Sequence, residues 1–155
     1  MQEQNALALE FVLELRVLID PLVELGRHPA GMRRTVAITG GSFRGPALAG
    51  RVLPGGADWQ IVEDDGLTSV DAHYTLETDD SVRIEVRNRG VRHGPADMME
   101  RIAAGQILTP TDYYFRTIPR FYPPEGKYDW LRRSMFVGSG ERYADQVIVR
   151  VWAVR

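Results

Sequence analysis

The chain has 155 residues, a mass of 17.5 kDa and a formal charge of −2, from 19 basic and 21 acidic side chains. Hydrophobic residues make up 44% and charged residues 26%, a folded-globular composition that excludes a disordered chain. No cysteine is present, which excludes disulfide scaffolds, thiolate zinc sites, iron–sulfur clusters and cysteine nucleophiles.

The length fits a single domain spanning 1–155. The faintly acidic balance offers no field for nucleic acid or an anionic membrane surface. Met1–Asn5 has no basic run, and the apolar stretch after it is broken by Glu10, Glu14 and Arg16. No secretory signal is expected, and the expected location is the cytoplasm.

Period-2 patterning runs along most of the chain. Leu7, Leu9, Phe11, Leu13, Leu15 and Val17 are apolar at every odd position. Leu7, Phe11, Leu15 and Leu18 also share a helical face, but six of six at period 2 decides for a strand with one face buried. Short strands follow over Val23–Leu25, Thr35–Thr39, Leu48–Leu53 and Asp58–Glu63, punctuated by Gly40-Gly41, Gly45-Pro46 and Pro54-Gly55-Gly56. Ser69–Thr78 and Val82–Asn88 both alternate and flank Asp79-Asp80, which makes the clearest hairpin. Pro95, Asp97, Met98, Met99, Ile102 and Gly105 mark one short α-helix near 95–104. Tyr113–Thr117, Met135–Val137 and the alternation of Val147, Val149, Val151 and Ala153 supply the last strands. Eight to ten short strands with one helix predict a mainly β fold, an antiparallel β-barrel, because closure removes exposed edges. An eight-strand barrel can hold one small ligand.

Standard catalytic motifs are absent: no Walker-type loop, no dinucleotide fingerprint, no H-E-x-x-H and no G-x-S-x-G. The paired glycines suit barrel corners instead. His73 and His93 with Asp71 would make a two-histidine-one-carboxylate site on paper, but nothing in the spacing requires it, and neither a metal nor a cofactor is expected. Gly55-Gly56-Ala57-Asp58-Trp59-Gln60 is a better candidate. If Asp58 and Gln60 point into the barrel, desolvation raises the Asp58 pKa and fits it for general-base work. On the next strand, Tyr74 belongs to the inward series, its hydroxyl in need of a partner such as Asn88.

The segment from Tyr113 to Arg133 holds seven of the fourteen aromatic residues and an excess of three positive charges. Its Pro119, Pro123, Pro124 and Gly126 predict a loop that either covers the barrel mouth or plugs its end. In the first case Tyr114, Arg116 and Arg120 would meet a flat ligand carrying a carboxylate or enolate, with Trp59 and Trp130 stacking on it.

Six ordered stretches resemble one family: Leu53 to Gln60, Tyr74 to Asp80, Val86 to Gly90, Tyr114 to Phe121, Tyr128 to Leu131 and Phe136 to Gly140. Together they resemble the domain of unknown function family 3237, also called uncharacterised protein family 0311. The resemblance implies a small cytosolic β-barrel that forms homo-oligomers. It carries Asp58, Trp59, Tyr74, Asn88, Tyr114, Arg116, Arg120 and Trp130 as the shared pattern. Ser81 departs from it, standing where the family's turn has Gly after the acidic pair.

These readings converge on an enzyme without a redox cofactor, a lyase, hydratase or isomerase acting on a small oxygenated cyclic or aromatic compound. Asp58 (with Asp71 second) moves a proton, and Tyr114 and Arg116 stabilise the oxyanion. Trp59, Tyr74, Asn88, Arg120 and Trp130 bind the substrate. A non-catalytic small-molecule binding barrel is the alternative. The catalytic reading requires a hollow barrel, with ionisable groups facing inward and the Trp59 and Trp130 segments meeting at its mouth.

Overall fold

A computed structural model describes residues 6–155. It contains ten strands: β1 (Leu9–Ile19), β2 (Val23–His28), β3 (Gly31–Arg44), β4 (Ala49–Val52), β5 (Gly56–Val62), β6 (Thr68–Thr78), β7 (Arg83–His93), β8 (Tyr114–Tyr122), β9 (Met135–Arg142) and β10 (Gln146–Val154). One α-helix, α1 (Met98–Ala103), lies between β7 and β8, and a 3-10 turn covers Asp129–Arg132.

Eight strands close an antiparallel barrel in the order β1-β10-β9-β8-β7-β6-β5-β3, with β3 returning to β1. The other two are accessory: β2 pairs with β3 alone, and β4 fills the gap between β3 and β6 beyond the end of β5. The fourteen residues of β3 therefore serve four neighbours, which demands a sharp bend. Gly41 supplies it, at φ +135° and with the Arg16 carbonyl oxygen 2.0 Å from where a Cβ would stand. The expected short strand at Thr35–Thr39 is thus the middle of one long, bent strand.

The alternation of β1 is broken by a bulge. Its register with β10 slips between Phe11 and Leu13, so Val12 and Leu13 are both buried. From there Leu15, Val17 and Ile19 face the core, while Leu9 and Phe11 lie on the outer wall. An inserted residue turns every side chain beyond it to the other face, so a single apolar series in the sequence serves two surfaces.

The hairpin predicted around Asp79-Asp80 is β6 and β7, paired over ten positions. Ser81 takes a left-handed conformation at φ 65°, the geometry that favours glycine. Asp80 ties this turn to the 3-10 segment, accepting hydrogen bonds from Tyr128 Oη at 2.6 Å and Lys127 Nζ at 3.2 Å.

The interior divides into two zones. Around the 3-10 turn it is hydrocarbon: Leu13, Leu76, Ile84, Val86, Phe121, Leu131, Phe136 and Val151 pack at 3% exposure or less. At the other end a second cluster joins Met98 and Ile102 of α1 to Val70, Tyr113 and Phe115. Between them the barrel is hollow.

Candidate functional site

Strand alternation dictates who reaches the hollow. On β5, Asp58 and Gln60 point inward and Trp59 outward. On β6, Val70, Ala72 and Tyr74 point inward. On β7 the inward series runs Ile84, Val86, Asn88, then past Gly90 to Arg92. From β8 come Phe115 and Thr117, and from β9 Arg142. In register, Asp58 sits opposite Ala72, and Ala72 opposite Asn88, so acid and amide flank one methyl group across three strands. The hollow measures about 50 Å³.

Glycines on β9 make room for the inward side chains of β8. A Cβ on Gly140 would stand 2.5 Å from the Phe115 ring, and one on Gly138 would stand 2.4 Å from Thr117 Oγ1. Phe-x-Gly-x-Gly-x-Arg is thus an inward series with two side chains deleted, which lets β8 side chains lean across the lumen.

The polar groups are ordered but not neutralised. Asp58 accepts hydrogen bonds from Gln60 Nε2 at 2.8 Å and from the Asp71 backbone N–H at 2.9 Å. Gln60 accepts in turn from Arg34 Nη2 at 3.2 Å. Burial raises the Asp58 pKa, partly offset by those two hydrogen bonds and by the charge of Arg92. Tyr74 is pushed above the ordinary phenol value, mainly by burial and further by Asp58. Arg92 is 1% exposed; burial and the like charge of Arg142 lower it to about 10, so it stays charged at neutral pH. Its guanidinium carbon lies 5.4 Å from the Phe115 ring centroid. Arg142 is steered by its own chain: its guanidinium donates to the Tyr143 carbonyl, and its backbone N–H donates to Tyr113 Oη at 2.9 Å.

The structure brings together Asp58, Tyr74 and Asn88 and separates them from the other candidates. The strict alternation of β8 buries Phe115, Thr117, Pro119 and Phe121 and exposes Tyr114, Arg116 and Arg120. Tyr114 stacks on His93 at 5.1 Å on the outer wall, with the Arg116 guanidinium 5.4 Å from its ring. Trp59 is 49% exposed on the outer face. Trp130 packs against the hydrocarbon zone in the 3-10 turn, at the end closed by Asp80 and Tyr128. The expectation that the two tryptophan segments meet at a mouth is therefore corrected: one lies on the wall, the other in the plug. The catalytic reading loses that requirement and rests on the inward-facing ionisable groups alone. Asp71 also faces outward, paired with Arg87 at 3.0 Å and Arg89 at 3.4 Å. His73 meets Glu85 at 2.5 Å on the surface. Among the described residues no three His, Asp or Glu side chains group as metal ligands.

Arg92, Arg142, Arg34 and Thr117 are the residues that sequence reasoning passes over. The signal for Arg92 is present in the chain: extending the inward series Val82, Ile84, Val86, Asn88 by two more steps reaches it.

Comparison with known proteins places this barrel. The model of the family described as "Protein of unknown function (DUF3237)" matches residues 7–154. A UPF0311 protein of Rhodopseudomonas palustris is 37% identical over 145 residues, covering 94% of this chain and 95% of the relative. Among solved structures, the R. palustris protein of unknown function superposes with a TM-score of 0.91 at 36% identity, over 98% of this chain and all of that one. A β-barrel-like protein from Acinetobacter baumannii gives 0.86 at 38%, over the full length of both. A more distant chain, described as an enzyme from Penicillium herquei, shares the fold with a TM-score of 0.74 at 20% identity, over 100% of this chain and 99% of that one. The chain belongs to the DUF3237 family.

Proposed function

We propose that this barrel is a cofactor-independent enzyme of the proton-transfer type, a lyase, hydratase or isomerase, acting on a small oxygenated cyclic or aromatic compound held in the lumen. One observation carries the reading: a buried carboxylate, Asp58, shares a hollow with unneutralised arginine and with Tyr74 and Asn88. The rival reading, a passive binding barrel, calls for a cavity without a converging acid and base.

The chemistry follows from these groups. In its carboxylate form and partly stripped of water, Asp58 removes a proton from the carbon beside a carbonyl. The C–H electron pair becomes the new C=C bond as the carbonyl π pair moves onto oxygen, and the resulting enolate meets the hydroxyl of Tyr74 in the field of the lumen arginines. Protonation at another carbon gives an isomer; loss of a β-substituent gives an elimination, and its reverse adds water. A positioned base contributes about 10²–10⁴ in rate, and one oriented donor to an oxyanion about 10²–10³. A space of about 50 Å³ takes the reacting carbonyl and its neighbouring carbon; a whole ring enters only if the barrel end beside α1 yields.

The same proposal has the protein working in the cytoplasm as a homo-oligomer. Leu9, Phe11, Ile118 and Met135, exposed together on the outer wall of β1, β8 and β9, support a self-contact.

Exchange in D₂O tests the catalytic reading without knowledge of the natural substrate. With a panel of small keto compounds, the wild-type chain is expected to catalyse deuterium incorporation beside the carbonyl of at least one, followed by mass spectrometry. Asp58→Asn is expected to lower that rate by about 10²-fold or more. Exchange that survives undiminished in Asp58→Asn overturns the assignment.

A further inference from the structure

Buried charge is costly unless paired. Arg92 is almost fully buried, yet its Nε and Nη2 have no hydrogen-bond partner among the described residues. Those two N–H groups form one edge of the guanidinium, the side-on fork that receives both oxygens of a carboxylate. Two more buried atoms lining the same hollow are unpartnered: Asn88 Oδ1, which can only accept, and Thr117 Oγ1, which can accept or donate. Charge points the same way. Among the described residues Asp58 is the single carboxylate lining the hollow, against Arg92 and Arg142, with Arg34 behind Gln60.

We propose that the substrate is a small carboxylate bearing a hydroxyl group, its carboxylate clamped by the Nε–Nη2 edge of Arg92 and its hydroxyl donating to Asn88 Oδ1. The inference rests on the site described under the proposed function and names its substrate class. A carboxylate is favoured over a phosphoryl group because one guanidinium edge and about 50 Å³ suit two in-plane oxygens rather than a tetrahedral dianion. The clamp also orients the reaction: it fixes one end of the substrate, so that Asp58 meets one particular carbon.

Isothermal titration calorimetry with lactate, its neutral isostere lactamide, and inorganic phosphate tests the clamp. Lactate is expected to bind at least tenfold more tightly than lactamide, and phosphate more weakly than lactate. The preference is expected to disappear in Arg92→Met, to fall part-way in Arg92→Lys, which keeps the charge but loses the fork, and to persist in Asp58→Asn. Equal affinity for lactate and lactamide in the wild-type chain overturns the proposal with no variant needed, as does tighter binding of phosphate. Lactate preference together with D₂O exchange insensitive to Asp58→Asn leaves the clamp standing and removes the proton-transfer reading. Exchange lost in Asp58→Asn, without any preference for carboxylates, does the reverse.

Discussion

Arg116 and Arg92 carry the same group and differ in which way their strands turn them. Arg116 alternates with Phe115 and Thr117, and burying the phenyl ring puts its own side chain on the wall. Arg92 is flanked by the exposed Val91 and His93 and turns into the lumen. A functional arginine is therefore chosen by strand parity and not by the richness of its local sequence. Arg116→Met is expected to leave deuterium exchange within about twofold of wild type. Arg92→Met is expected to lower it by about 10²-fold, the scale of a misplaced substrate. The two variants measured side by side against circular dichroism separate a lost site from a lost fold.

At the scale of elements, the aromatic stretch from Tyr113 to Arg133, which runs through β8 into the 3-10 turn, shows what the alternation does not reveal. Seven aromatics with five basic residues read equally as a ligand platform or a plug, because both uses need flat apolar faces. The contacts decide: Tyr128 and Leu131 are buried in the hydrocarbon zone, and the basic side chains stay outside. Asp80 joins the plug to the β6–β7 turn. Its pKa lies well below the usual carboxylate range because Thr78 and Tyr128 donate to it, with Lys127 beside them. A carboxylate depressed in the folded state contributes stability above its unfolded pKa of about 3.9 and loses it as pH falls through the folded value. Asp80→Asn is expected to lower Tm by a few degrees at neutral pH, with the gap shrinking as the buffer is taken below pH 4. A gap that stays constant into acid would deny the carboxylate this role.

For the molecule as a whole, the barrel was legible because half-buried strands must alternate, and alternation needs no knowledge of partners. The β6–β7 hairpin and the closing strand stand where that pattern put them, and α1 stands where Pro95, Asp97, the apolar stripe and Gly105 put it. Half of the site was legible for the same reason: Asp58, Tyr74 and Asn88 fall on inward series. The rest was not, because long-range register sets it. The bulge near Val12, the bend at Gly41 and the leaning of Phe115 over Gly140 depend on which strands become neighbours. Nor does a basic residue such as Arg92 or Arg142 announce burial, since arginine is mostly exposed.

Lining the hollow with polar groups also has a thermodynamic consequence. The plugged end is packed like any core, whereas the open zone holds buried polar atoms that the fold itself leaves unsatisfied. A buried unsatisfied group costs about 1–3 kcal/mol, and sites kept for function are commonly destabilising in this way. Thr117→Val keeps the shape of the side chain and removes the unpartnered hydroxyl. It is expected to stabilise the chain by about 1 kcal/mol in urea unfolding, with an unchanged m-value, while weakening lactate in calorimetry. A loss of stability in Thr117→Val would mean that the hydroxyl is satisfied within the fold, and that the lumen is built for packing and not for a ligand.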